Sequence, residues 1–347
     1  MIAELIARAA ELGASDLHLV CGLPPMVRCS GALLPLEGAA PLSGEECLRL
    51  GGELAEGREL PARGELDLSR TLSGVRVRVN LYRAQGHLSA AVRLLSDQIP
   101  PLATLGLPPA ALELTSLRRG ILLVTGETGS GKSTTLASML DEINRTRAGH
   151  LITLEDPIEY LHTPRRCVIN QREIGRDTES YAVGLRAALR EDPDILLIGE
   201  MRDLDTIETA LTAAETGHLV LATLHTNSAA DSIDRMVSVF PEGRQQQIRM
   251  QLSMTLRAVL SQQLLPRADG QGRVLACELM MVNAAIRNLI REGKTPQIAN
   301  AVATSAKDGS ITMDNALIRL VQSRAISAAA AREAAWDPEY VKRACPF

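Results

Sequence analysis

Apolar residues at helical spacing open the chain. Ile2, Leu5, Ile6 and Ala9 fall on one face, which predicts an amphipathic helix ending near Gly13. Asp16-Leu17-His18-Leu19-Val20 then alternates with the period of a half-buried strand, and Pro24-Pro25 marks a turn. Further on, Val75, Val77 and Val79 alternate with Arg76, Arg78 and Asn80, a strand with one polar face. Ala90 to Leu95 reads as its partner. These elements predict a small α+β domain over residues 1–97, within the usual domain range. Between Ser96 and Pro109 stand Pro100, Pro101, Pro108 and Pro109 with Gly106 among them. Proline fixes φ and resists regular structure, so residues 98–110 read as a linker.

From residue 111 to residue 347 the pattern changes. Short apolar runs (ILLV at Ile121, LITL at Leu151, ILLI at Ile195, LVLATL at Leu219) alternate with helical stretches. Strands buried on both faces look like this, so the class is α/β, with a mostly parallel sheet between helices. After about Gly243 the pattern becomes mainly helical, apart from one strand-like run from Val274 to Val282.

Composition narrows the class of protein. With 46% apolar and 22% charged residues, the 347-residue chain has the balance of a soluble globular protein large enough for two domains. Its 37 basic and 41 acidic side chains give a net charge of -4, and aromatics make up only 2%. Neither a basic face nor stacking aromatics advertise a nucleic-acid partner, and none is expected. None of the six cysteines forms a C-x-x-C pair, the pattern of reduced thiols in a cytosolic protein. Glu4 and Arg8 break up the first residues, so a signal peptide is not expected. No apolar run approaches the ~18 residues of a membrane span.

The strongest chemical signal is Gly126-Glu127-Thr128-Gly129-Ser130-Gly131-Lys132-Ser133-Thr134. It fits G-x-x-x-x-G-K-[ST], follows the apolar strand ILLVT and precedes helix formers, which is the context that motif requires. Glycines there let successive backbone N–H groups face phosphates at the positive end of a helix. Lys132 would reach the β- and γ-phosphates of ATP, and the Ser133 hydroxyl would ligate Mg²⁺. A magnesium–nucleotide site also needs a carboxylate at the C-terminal end of a neighbouring strand. Asp194 precedes the run Ile195–Ile198 and Glu200 follows it, roughly 20 Å apart at ~3.3 Å per residue. Strand polarity selects Glu200 and leaves Asp194 as a turn or capping residue. Glu155, Asp156 and Glu159, just past another buried run, are candidates to orient the attacking water, and the residues alone do not rank them. His218 and His225 bracket Leu219–Leu224. His225 lies at the C-terminal end, suited to sensing a γ-phosphate; His218 lies at the other.

Taken together, GASDLHL, LPPMVR, ITLEDPIEY, ALREDPDILLIGEMRD, TAAETGHLVLATLHTNSA and AIRNLIREGK resemble, in order and spacing, the pilus retraction ATPases (the PilT family) of the secretion-type ATPase superfamily. The resemblance runs nearly end to end. It implies a PAS-like N-terminal domain joined to a RecA-like P-loop core with a C-terminal helical region, and six subunits in a ring. By the same resemblance Glu159 is the catalytic carboxylate, Glu200 reaches Mg²⁺ through water, and His218 and His225 form a histidine box. Arg78 and Arg93 are then the arginines offered to the nucleotide. Expected partners are further copies in a homo-hexamer, an inner-membrane pilus platform protein and an accessory retraction ATPase. The expected location is the cytoplasmic side of the membrane, at the pilus machine.

Two positions depart from the family pattern. Glu127 stands where proline is usual, and Val77 replaces a phenylalanine before Arg78. In the stretch 285–294, Ile286, Leu289 and Ile290 make one apolar helical face, and the resemblance links this segment to retraction rather than assembly. Alternatives are an accessory retraction ATPase, an assembly or type II secretion motor lacking the usual four-cysteine zinc insertion, and, from another class, a RecA-like nucleic-acid translocase.

Overall fold

A computed structural model describes residues 1–347 except Ser30, Ser96, Asp97, Pro346 and Phe347. The described chain divides into two compact units. The first contains Met1–Gln98 together with Pro157–Leu161, and the second contains Ile99–Asp156 and His162–Phe347.

In the first unit, helices α1 (Ile2–Glu11) and α2 (Gly44–Ala55) accompany strands β1 (Asp16–Leu19), β2 (Met26–Cys29), β3 (Ala32–Pro35), β4 (Glu65–Leu72), β5 (Val75–Ala84) and β6 (His87–Leu95). The strands form an antiparallel sheet in the order β3-β2-β1-β6-β5-β4. The helical spacing at the start does what it predicts: Ile2, Ile6 and Ala9 are buried. They meet Leu50 and Leu54 of α2 and Val77, Val79 and Leu81 of β5 in one core. Gly13, at φ +66°, follows α1 in the left-handed conformation that suits glycine. The polar face of β5 is not uniform. Arg78 is exposed, whereas Arg76 is buried at 8% exposure.

The second unit begins with α3 (Pro109–Glu113), β7 (Gly120–Thr125), α4 (Lys132–Thr146), β8 (Gly149–Glu155) and β9 (Cys167–Glu173). It continues through α5 (Tyr181–Ala188), β10 (Ile195–Ile198), α6 (Leu204–Glu215), β11 (Leu219–Leu224), α7 (Ala229–Ser238), α8 (Glu242–Thr255), β12 (Leu256–Pro266) and β13 (Arg273–Met281). Helices α9 (Ala284–Glu292), α10 (Ile298–Thr304), α11 (Met313–Gln322), α12 (Ala328–Ala334) and α13 (Pro338–Ala344) complete it. The sheet order is β13-β12-β7-β11-β10-β8-β9, parallel except for the antiparallel β12/β13 pair. Every residue of β7, β10 and β11 is buried, as their unbroken apolar runs require between two helical layers. One layer buries Leu185, Ile207, Ile233, Ile248, Ile286 and Ile298, and the other buries Leu136, Leu140 and Ala316. The apolar stripe at 285–294 thus packs inward through Ile286 and Ile290 of α9.

Two sequence expectations change. The region after Gly243 is mainly helical as expected, but it holds a second strand besides β13: the eleven-residue β12, inserted beside β7. The α8 helix runs into it at Leu256 with no breaker, and Gln262 and Gln263 interrupt its apolar pattern. Gln262 is nonetheless 1% exposed, its amide donating to Thr135 Oγ1 at 2.8 Å. The proline-rich stretch is also no free tether. From Ile99 it packs with the second unit, Leu102 buried at 5% and the Pro100 carbonyl accepting from Ser138 Oγ at 2.7 Å. Residue 97, the expected end of the first domain, lies outside the described residues. Among the described residues no helix is long and apolar enough to cross a membrane. All six cysteines are free thiols.

Candidate active site at the C-terminal edge of the parallel sheet

Parallel registers bring the C-terminal ends of four strands to one edge. Thr125 of β7 pairs with Leu224 of β11, Ala222 of β11 with Ile198 of β10, and Ile198 with Leu154 of β8. The chain therefore delivers Gly126, His225, Glu200 and Glu155 to the same rim. In open α/β sheets this is where ligands bind.

The loop from Gly126 to Gly131 follows β7, and α4 begins at Lys132. Gly126, Gly129 and Gly131 all have positive φ, at +136°, +82° and +91°. At Gly126 a Cβ would lie 2.4 Å from the Gln262 carbonyl oxygen and 2.6 Å from Ser130 Oγ, so only glycine fits against β12. The Lys132 ammonium donates to the carbonyls of Gly126 at 2.7 Å and Glu127 at 2.8 Å, curling over the loop. Glu127 itself is exposed, so its charge is solvated. Ser130 is buried and its hydroxyl has no hydrogen-bond partner among the described residues. Arg273 of β13, which belongs to no motif, donates to the Gly129 carbonyl at 3.4 Å. This glycine cradle at a helix N-terminus suits a polyphosphate.

Glu200, two residues past β10, is half-buried on the rim, its side chain 16% exposed. It accepts from Arg202 and lies 3.2 Å from Nε2 of His225. The hydrogen bond that Arg202 donates to Glu200, and then the carboxylate's charge, raise the Arg202 pKa and keep that guanidinium cationic. Gly199 makes room for this turn. Its N–H donates to the Leu154 carbonyl at 2.7 Å, and a Cβ there would sit 2.9 Å from the Tyr181 hydroxyl. Burial, reinforced by Asp156, Glu200 and Glu155, pushes the Tyr181 phenol well up, so it stays a neutral hydrogen-bond donor.

The remaining expected residues fall in different places. Asp194 sits at the opposite end of β10, accepting from the His150 N–H at 2.8 Å, as a turn residue does. His218 also stands at that far end, its Nδ1 2.8 Å from the Ala213 carbonyl and 3.1 Å from Thr216 Oγ1. The rise of β11 separates it from His225 by roughly 20 Å, and the second unit does not bring the two histidines together. Of the three acids in ITLEDPIEY, Glu155 is tied into the sheet. It accepts from Thr153 Oγ1 at 2.6 Å and from Gln171 Nε2 of β9 at 3.2 Å. Glu159 belongs to the segment Pro157–Leu161 and so to the first unit. Arg78 and Arg93, also in the first unit, are directly paired across β5 and β6, and both are exposed. Arg93 Nε donates to Asp16 Oδ1 at 3.1 Å. Val77, where phenylalanine is usual, is fully buried in the core of the first unit.

A divalent ion here would find hard oxygen donors, Ser133 on the first turn of α4 and Glu200 on the rim. No cluster of three or more His, Cys, Asp or Glu side chains occurs among the described residues. Oxygen donors of this kind suit Mg²⁺, which takes most of its ligands from phosphate and water and one or two from protein.

A phosphate-binding loop, a rim carboxylate bonded to a histidine and a RecA-like parallel sheet define the chain as a P-loop ATPase. Within that class it belongs to the family of Type II/IV secretion system proteins, whose model matches residues 51–336. It is 46% identical over 342 residues to the type IV pilus retractation ATPase PilT of Pseudomonas aeruginosa, covering 97% of this chain and 99% of that protein. The Pseudomonas aeruginosa type IV pilus ATPase PilU is 36% identical over 321 residues, 91% of this chain and 84% of that one. Among solved structures, the pilus retraction motor PilT with bound ADP superposes with a TM-score of 0.90 at 46% identity, over 98% of each chain. The ATPase DotB of Legionella pneumophila gives 0.78 at 29% identity, over 95% of this chain and 93% of that one.

Proposed function

We propose that the chain is a subunit of a homo-hexameric, Mg-ATP-hydrolysing motor that powers retraction of type IV pili and hence twitching motility. The observation that carries this reading is the near end-to-end identity with PilT, 46% across 97% of this chain and 99% of that protein. It spans both units of the chain. In this reading the N–H groups of Gly126–Ser133 and the Lys132 ammonium hold the phosphates. Mg²⁺, bound by Ser133 and through water by Glu200, would neutralise charge developing on the phosphoryl oxygens. Glu159 orients and deprotonates the attacking water, and His225, bonded to Glu200, reports the state of the γ-phosphate to α7. His218 completes the histidine box, and Arg78 and Arg93 add positive charge to the nucleotide from a rigid sheet.

The motor would act on the cytoplasmic side of the inner membrane, against a pilus platform protein and alongside an accessory retraction ATPase. Deletion of the gene tests the direction of work. Retention of abundant surface pili with loss of twitching is the expected result; loss of the pili would make the chain an assembly motor instead. Sedimentation with a non-hydrolysable ATP analogue should give a six-subunit particle, and a monomer at every nucleotide and protein concentration tried would contradict the ring.

A further inference from the structure

Arg76 is the residue of β5 that the alternation pattern misjudged. It shares the polar face of the strand with Arg78 and Asn80, yet it is buried to 8% exposure while Arg78 is exposed. A buried guanidinium must place its donors, and two of them converge on one atom. Arg76 Nε and Nη2 both donate to one acceptor, the carbonyl of Ile158, at 3.3 and 3.2 Å. Ile158 is itself 7% exposed and lies in Pro157–Leu161, the short segment that packs within the first unit although the residues on either side belong to the second.

The identity of that carbonyl matters. Its oxygen lies in the rigid peptide plane that runs from Cα of Ile158 to Cα of Glu159. Two donors from one edge of the guanidinium hold this oxygen, which lies off the Cα–Cα axis, and so restrain rotation of the plane and the point from which the Glu159 side chain departs. On the N-terminal side Pro157 fixes its own φ and restricts Asp156, so the segment enters Ile158 with little freedom. Arginine is well suited to the grip, because its planar fork stays charged and presents several donors in fixed geometry.

We propose that Arg76 is a positioning residue for Glu159: its guanidinium sets the Ile158–Glu159 peptide plane and thereby aims the carboxylate at the water that attacks ATP. The inference rests on the reading of Glu159 given above. Arg76 touches neither nucleotide nor water in this scheme. Its removal therefore lowers the rate of the chemical step and leaves nucleotide binding intact, since a displacement of about 1 Å in a catalytic group can cost on the order of 100-fold.

The test uses the full-length chain with Arg76→Met, which keeps the aliphatic stem and loses every donor, and Arg76→Lys, which returns a donor to the carbonyl. For each variant, kcat and KM for ATP are measured together with the number of fluorescent ATP-analogue molecules bound per chain. Normalising turnover to analogue bound removes any misfolded fraction, so a merely structural role would leave it unchanged. Expected is a roughly 10- to 100-fold fall in normalised kcat for Arg76→Met, KM within about threefold of wild type, and recovery of most of the loss in Arg76→Lys. Wild-type normalised kcat in Arg76→Met, or equal losses in the Met and Lys variants, would overturn the proposal. Glu159→Gln assayed in parallel separates the two claims. If it hydrolyses ATP at the wild-type rate, the reading of Glu159 fails. If it is inactive while Arg76→Met turns over normally, only the positioning role fails.

Discussion

Glu278 offers a quantitative test of how the second unit is held together. It lies on β13 at 3% exposure, and its Oε1 accepts from the Ala229 N–H at 2.8 Å, the first residue of α7. The backbone N–H of Met313, the first residue of α11, also favours the charged form of this carboxyl. These donors favour the anion, but burial dominates, with Asp231 and Asp314 adding repulsion, and the carboxyl is pushed from 4.5 up to about 7. The folded chain therefore holds this proton more tightly than the unfolded chain. The stabilisation is full below about pH 4.5 and is lost as the pH rises through about 7. A shift of about 2.5 units at 1.36 kcal/mol each makes the whole effect about 3 kcal/mol. Glu278→Gln is neutral throughout and escapes that loss. In urea unfolding at pH 5 and pH 8, the stability of Glu278→Gln relative to wild type should improve by roughly 2–3 kcal/mol between the two conditions. A difference that stays constant with pH, or that moves against the variant at pH 8, would show that Glu278 does not carry this proton.

Gly126→Ala places a methyl 2.4 Å from the Gln262 carbonyl oxygen at a φ of +136°. Strain of about 1–3 kcal/mol in the phosphate loop should weaken analogue binding about tenfold or more, and wild-type affinity would contradict the cradle geometry. Asp194→Ala removes the acceptor for the His150 N–H at the far end of β10. It should cost about 1 kcal/mol in denaturant melts and leave kcat per folded chain unchanged, and a fall in that kcat would place Asp194 in the site after all.

Much of the rim was legible because chemistry there is written locally. The phosphate loop carries its glycines, lysine and hydroxyls in nine consecutive residues behind an apolar strand. Glu200 follows from strand polarity alone, since Ile195–Ile198 can point only one end at the phosphates. What stayed hidden depends on partners distant in sequence. Glu155 is fastened by Gln171, which requires β9 as the parallel neighbour of β8, and the polar alternation of CVINQRE gives no apolar run to announce that strand. β12 was lost for a related reason. Gln262 looks like a polar interruption until Thr135 of α4 is seen to receive its amide hydrogen. Arg76 read as one more residue of a polar face, because nothing near it in sequence says that its guanidinium meets the carbonyl of Ile158, 82 positions later.

Steady-state ATP turnover of the purified full-length chain, beside Lys132→Ala, tests whether the loop around Lys132 drives hydrolysis. The Lys132 ammonium closes over the loop carbonyls where a γ-phosphate would be gripped. A working wild-type ATPase with at least a 100-fold loss in the variant is the predicted result, the order of magnitude lost when a transition-state charge goes uncompensated. Equal turnover by the two proteins, or none by wild type under any condition that assembles it, would contradict the account.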